Sequence, residues 1–358
     1  MKLGLLSFGD IAEGDEAVTP AEALRQTLER IQLAEEVGLD FFGLGEHHLA
    51  RYAISSPATV LAAAASVTSR IGLSSAVTVL STEDPVRLYQ QFTTLDQLSG
   101  GRAEIIAGRG SFTESFPLFG ASLEDYDALY DEKLQLLLQL DAGNPVTWAG
   151  RFRPPLHDAE LYPRPFRDHL AISVGTGGNP ASSMRAAVLG LPIVYAIIGG
   201  EPERFAPLVE LYRQTSERAG HPVESQHVTF GGIGLLAERS QDAKDLFYPY
   251  WMQAMRYGAE ARGWPLPSRG DYDHYTDGSR MMLTGSPAEI ADRLITIGST
   301  VGADRYALQM DWSGVPHDIV MTSIELLGTR VRPQVEAELG DAGRLSSAVP
   351  VRPALANR

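Results

Sequence analysis

Leu3-Gly4-Leu5-Leu6-Ser7-Phe8-Gly9-Asp10 opens the chain as a short apolar run that breaks into an acidic loop. The run has the length and composition of a buried strand. In a doubly wound dinucleotide-binding sheet, this first strand leads into a Gly-x-Gly-x-x-Gly turn that holds pyrophosphate at a helix start. Phe8-Gly9-Asp10 offers no such turn. Apolar runs and amphipathic helices nevertheless continue to alternate along the chain, the pattern of βα units with a parallel sheet. A closed (β/α)8 TIM barrel of the α/β class, with irregular insertions, is therefore expected in preference to an open sheet.

Working outward, Thr19-Pro20-Ala21-Glu22 reads as a capping box with proline at the first helical position. Strand two is expected over Phe41 to Gly45, strand three over Ile71 to Leu80 and strand four over Ala103 to Gly108. Strands five to eight fall at His169 to Val174, Leu191 to Ile198, Val228 to Leu236 and Arg305 to Met310. Residues 143–168 and 260–285 are rich in Pro, Gly and aromatics and read as irregular excursions. Residues 1–340 are assigned to one barrel domain, and 341–358 to a loosely held tail.

Bulk properties narrow the function. The 358 residues carry a formal net charge of −15, which argues against nucleic acid and anionic membranes as partners. With no cysteine, disulfides, thiolate metal sites and cysteine nucleophiles are excluded. No apolar run is long enough for a membrane span or a signal peptide, so a cytoplasmic location is expected.

Barrel enzymes draw their catalytic groups from the C-terminal ends of strands. At the end of strand two stands Gly45-Glu46-His47-His48. Imidazole titrates near neutrality and suits acid–base work, but adjacent residues on an extended chain point to opposite sides. At most one of His47 and His48 is expected to face the pocket. A metal site is not expected, because the triplet lacks zincin spacing. Gly108-Arg109-Gly110, at the end of strand four, either binds a phosphate or salt-bridges a loop carboxylate such as Glu114. Gly175-Thr176-Gly177-Gly178-Asn179-Pro180-Ala181-Ser182 runs from a strand into a helix start, which makes an anion site with hydroxyl donors. Ser74 to Leu80 reads either as ordinary barrel packing or as a flat bed for a planar ring.

Together these segments resemble the bacterial luciferase-like, flavin-dependent monooxygenase family from residue 1 to about 335. Gly45 to His48, Ala76 to Arg87, Leu95 to Arg102, Gly108 to Gly110 and Leu189 to Pro192 carry the resemblance in order. It implies a (β/α)8 barrel that binds FMN at its C-terminal face, usually as a homodimer. His47 would be the active-site imidazole, with Glu46 and His48 in support. Ala76-Val77 matches the family's non-prolyl cis bond beneath the flavin ring. Arg109, Gly178, Asn179 and Ser182 match phosphate-binding positions, with Thr176 and Gly177 beside them. Reduced FMN would come from a separate flavin reductase and, with O2, oxidise a small organic substrate. Residues 111–121 and 260–285, with Phe112, Phe116, Phe119, Trp264, Tyr272 and Tyr275, are alternative pocket walls or lids. Ile197 stands where luciferase has an aromatic, so neither light emission nor an aldehyde substrate is carried over. A hydride-transferring enzyme using coenzyme F420 and a non-catalytic flavin-binding protein remain alternatives.

Overall fold

The computed structural model describes residues 1–340 except 13, 15, 16, 111, 198, 264 and 279, and except the side chains at 261 and 262. Ile198, Trp264 and the tail 341–358 lie outside the described residues. Strands β1 (Lys2–Ser7), β2 (Phe41–Leu44), β3 (Gly72–Ser75) and β4 (Ala103–Gly108) form the first half of one parallel sheet. Strands β5 (Ala171–Thr176), β6 (Ile193–Ala196), β7 (Val228–Leu236) and β8 (Arg305–Gln309) form the second half. Each strand pairs with its chain neighbours, and β8 pairs with β1 through Lys2↔Arg305 and Leu5↔Leu308. The ring is thereby closed as a parallel barrel of 8 strands.

The strands are buried on both faces, which is why they read as near-continuous apolar runs. Helices cover them outside: α1 (Pro20–Glu36), α2 (Pro57–Val67), α3 (Pro85–Ser99), α4 (Tyr126–Ala142) and α5 (Pro180–Val188) follow the first five strands. The ring continues with α6 (Ala206–Arg218), α7 (Ser240–Arg262), α8 (Pro287–Val301) and α9 (His317–Leu326). The helix starts follow from local chemistry. Thr19 Oγ1 accepts the Glu22 N–H at 3.2 Å, and Asp84 Oδ1 accepts those of Val86 and Arg87 at 2.9 and 3.0 Å. Among the described residues no helix is long and apolar enough to cross a membrane.

Local differences from the sequence reading have physical causes. Strand three is broken: a cis peptide joins Ala76 and Val77, and Thr78–Val79 resumes pairing with β4. Val77 fits against Gly108 and Gly175, where an added Cβ would come within 2.4 and 2.6 Å of its methyls. Strand six stops at Ala196, short of the expected end. The excursion at 143–168 holds an antiparallel pair, Val146–Trp148 with Leu156–Ala159. The second excursion contains a capped helix, Arg269–Tyr275, and a strand, Leu283–Gly285, that pairs with β7. At the N-terminal end of the barrel Arg305 Nη2 meets Glu104 Oε2 at 3.0 Å, while Ser173 donates to Oε1 of the same carboxylate at 2.8 Å. This buried plug leaves the opposite, C-terminal end as the open one.

Candidate active site

The chain leaves strand geometry after Leu44, so the alternation expected for neighbouring side chains does not apply at Glu46 to His48. Both His47 and His48 line the cavity at the C-terminal end of the barrel, which corrects the expectation that at most one would. Nδ1 of His47 lies 2.8 Å from Glu114 Oε1. Its ring is stacked on Tyr52 at 4.3 Å between centroids, with Phe112 edge-on at 4.6 Å and Phe8 tilted at 4.8 Å. Burial raises the Glu114 carboxyl, but the His47 hydrogen bond, backbone N–H groups and the His47 charge together outweigh it and hold Glu114 below the usual carboxylate range. His48 Nε2 meets Glu46 Oε1 at 2.9 Å, and Glu46 Oε2 accepts the Val79 N–H at 3.2 Å. Glu46 therefore ties the histidine pair to the chain just beyond the cis peptide.

Arg109 leaves the end of β4 and turns towards α5. Its Nη2 donates to Ser182 Oγ at 3.3 Å, and its Nη1 pairs with Asp127 at 2.5 Å. The loop partner weighed for it, Glu114, is taken by His47 instead. Thr176 and Gly177, at the end of β5, line the cavity together with Arg109, Ala76 and Val77. Gly178, Asn179 and Ser182 follow at the start of α5 and do not line it. Thr176 Oγ1 accepts the N–H groups of Gly178 and Asn179 at 3.3 and 3.2 Å. Asn179 caps the helix by accepting the Ala181 N–H at 2.8 Å. Space around Gly177 is open, since an added Cβ would meet nothing within 4 Å. The Arg109 guanidinium and the Ser182 hydroxyl thus meet close to Thr176 and the open space at Gly177, a donor set that suits an anionic group.

The model of the luciferase-like monooxygenase family matches residues 1–305. The chain belongs to that family. N-acetyl-S-alkylcysteine monooxygenase of Bacillus subtilis is 31% identical over 207 residues, 57% of this chain and 59% of that one. The crystal structure of the monooxygenase RslO1 of Streptomyces bottropensis superposes with a TM-score of 0.82 at 26% identity, covering 93% of this chain and 99% of that one. Two further structures share the fold at lower identity. The oxygenating constituent of 3,6-diketocamphane monooxygenase of Pseudomonas putida, a type II Baeyer-Villiger monooxygenase in complex with FMN, has a TM-score of 0.75 and 18% identity, covering 94% and 98%. The F420-dependent tetrahydromethanopterin reductase of Methanopyrus kandleri has a TM-score of 0.70 and 19% identity, covering 93% and 99%.

The cavity measures about 620 Å³. Of the two lid candidates, 111–121 supplies walls through Phe112, Glu114 and Ser115. No described residue of 260–285 lines the cavity: Tyr272 is buried against Trp251 and Tyr275 packs on Trp251 as well. Phe116 packs under Tyr126, and Phe119 lies against His48. Instead, α7 closes the cavity with Ala254, Met255, Tyr257 and Gly258. Sequence reasoning also missed Asp10, Arg51, Tyr52 and Trp312, all cavity-lining residues beyond the ends of β1, β2 and β8. Their position past a barrel strand end was the available signal.

Proposed function

We propose that this chain binds FMN and, with the reduced form and O2, acts as a monooxygenase on a small organic substrate. The observation that carries the proposal is His47: an imidazole fixed by Glu114 and flanked by Phe8, Tyr52 and Phe112 in the cavity, with Arg109, which reaches Ser182 behind the lining, on another wall. Arg109, Ser182, Thr176 and the backbone at Gly177 would hold the phosphate, and Ala76-Val77 with Ile197 would border the ring. Reduced FMN, when bound, supplies two electrons to O2, so that one oxygen enters the substrate and the other leaves as water. With Nδ1 engaged by Glu114, His47 Nε2 is the nitrogen free to move a proton at the reacting oxygen. Phe8, Tyr52 and Phe112 exclude water around that nitrogen. Glu46 and His48 take positioning roles, with Glu46 joining His48 to the chain beyond the cis peptide at the Val79 N–H.

A separate reductase is part of the proposal. The chain lacks a dinucleotide fingerprint after β1, and the diketocamphane enzyme is itself an oxygenating constituent of a larger system. A homodimer is proposed too, supported by the exposed apolar side chains of Val67 on α2 and Leu98 on α3, and tested by light scattering. Titration with FMN and with F420, followed by oxygen uptake on supplying reduced FMN, tests the cofactor. Tight F420 binding without FMN affinity would overturn the reading. FMN binding with no oxygenation of any substrate would point to a binding protein.

A further inference from the structure

The cavity extends to the β8–β1–β2 side of the barrel, across the ring from β4 and β5 where the phosphate pole lies. Two donors there have no acceptor. Nη1 of Arg51 and Nε1 of Trp312 are buried, and neither has a hydrogen-bond partner among the described residues. The Arg51 guanidinium lies over the Tyr257 ring at 4.2 Å and near that of Tyr52 at 5.7 Å. Both residues sit beside one segment of the chain. Arg51 O accepts the Ile11 N–H at 2.9 Å, Asp10 bridges Tyr52, and the Asp10 carboxyl accepts the N–H of Ser313, next to Trp312.

None of the cavity's own acids hydrogen-bonds these donors; Asp10 acts on Arg51 by charge, but burial and Asp311 push its carboxyl well above the usual carboxylate range. Asp10 accepts from Gln309 and Ser313, Glu114 is engaged by His47, and Glu46 by His48 and Val79. A buried donor left without an acceptor is costly, and a cationic one more so. An indole N–H can only donate, and a planar guanidinium matches the two oxygens of a carboxylate. Tyr52 and Tyr257, which flank the guanidinium and line the cavity with Phe112, present apolar faces that suit a flat or apolar body. We propose that Arg51 and Trp312 form a carboxylate-binding end of the substrate cavity, so that the substrate is an organic acid with a flat apolar body. This rests on the reading that the cavity holds substrate as well as flavin.

The test compares 2-naphthoate with its neutral counterpart 2-naphthamide by calorimetry on the full chain, with and without FMN. Wild type is expected to bind the acid roughly tenfold or more tightly than the amide, the worth of a charge-assisted hydrogen bond. Arg51→Gln removes that preference, Arg51→Lys keeps part of it, and FMN affinity is unchanged in both. Trp312→Phe, which keeps a ring and loses the donor, weakens naphthoate several-fold and serves if the arginine variants do not fold. Equal binding of acid and amide by wild type overturns the proposal, as does a preference that survives Arg51→Gln. A parallel loss of FMN affinity in Arg51→Gln also overturns it, since Arg51 would then serve the cofactor. Absence of FMN binding with the acid preference intact refutes the flavin reading and leaves the carboxylate site standing.

Discussion

Nδ1 of His47 lies 2.8 Å from Oε1 of Glu114, a residue 67 positions later in the chain. The carboxylate comes from the segment that also lays Phe112 edge-on to the imidazole, so one loop both orients the ring and covers it. If His47 moves the proton, His47→Ala lowers kcat/KM for substrate oxidation by roughly 10²–10⁴-fold and leaves FMN affinity in place. Glu114→Gln keeps the shape but not the charge, and is expected to cost about tenfold or more through ring orientation. Oxygen uptake with supplied reduced FMN measures both. Full activity in His47→Ala would remove the assigned role.

Arg109 is shared between Ser182 and Asp127, and its guanidinium also lies 5.3 Å from the Tyr126 ring. A phosphate would compete with Asp127 for the same donor. Arg109→Ala is therefore expected to weaken FMN by about tenfold or more, the scale of a charge-assisted pair. Asp127→Asn is expected to tighten FMN, because it removes the competing acid. Fluorescence titration of FMN reads both variants, and a tighter-binding Arg109→Ala would rule out the phosphate role.

At the closed end of the barrel, Glu104 joins Arg305 and Ser173, while the Arg305 guanidinium lies 4.0 Å from the Phe41 ring centroid. Removing one partner strands a buried charge. Glu104→Ala should destabilise the fold by about 3–5 kcal/mol, whereas Glu104→Gln with Arg305→Met recovers much of that loss. Urea unfolding provides the measure. FMN affinity of the folded fraction should not change, since the plug lies at the end of the barrel opposite the cavity.

How much of this was legible depended on whether the cause was local. Thr19-Pro20 and Asp84-Pro85 announced their helices because a cap is written in adjacent residues. Strand ends placed His47 and Arg109 at the open face for the same reason. The roles of their partners were not legible. Glu114 is an ordinary loop acid until folding sets it against His47, and Asp127, on a helix, takes the place expected for Glu114 beside Arg109. Asn179 read as an anion donor, yet its side-chain oxygen caps α5. The pair at Val146 and Leu156 was hidden because Gly150, Pro154 and Pro155 separate its two short strands. Arg51 and Trp312 offered only their position past a strand end, and it is the closing of β8 onto β1 that brings them beside Asp10.

Asp10 itself gives a test of stability against pH. Burial, and then the charge of neighbouring Asp311, push its carboxyl well above the usual carboxylate range. Burial likewise raises Asp311 despite Arg30 at 3.0 Å and the Ser7 hydroxyl. A carboxyl raised in the fold binds its proton more tightly there than in the unfolded chain. Stability therefore falls as pH climbs from the ordinary value of 3.8 through the folded value, and the penalty is complete above it. Asp10→Asn removes the ionisation and keeps an oxygen for the Ser313 N–H, while the Gln309 amide can turn to accept from the new one. At pH 4 the variant should match wild type or fall slightly below it. At pH 8 it should be the more stable of the two. Thermal unfolding across that range decides the matter: a difference that stays flat with pH, or a loss that grows as pH rises, would show that Asp10 is not held neutral by its surroundings.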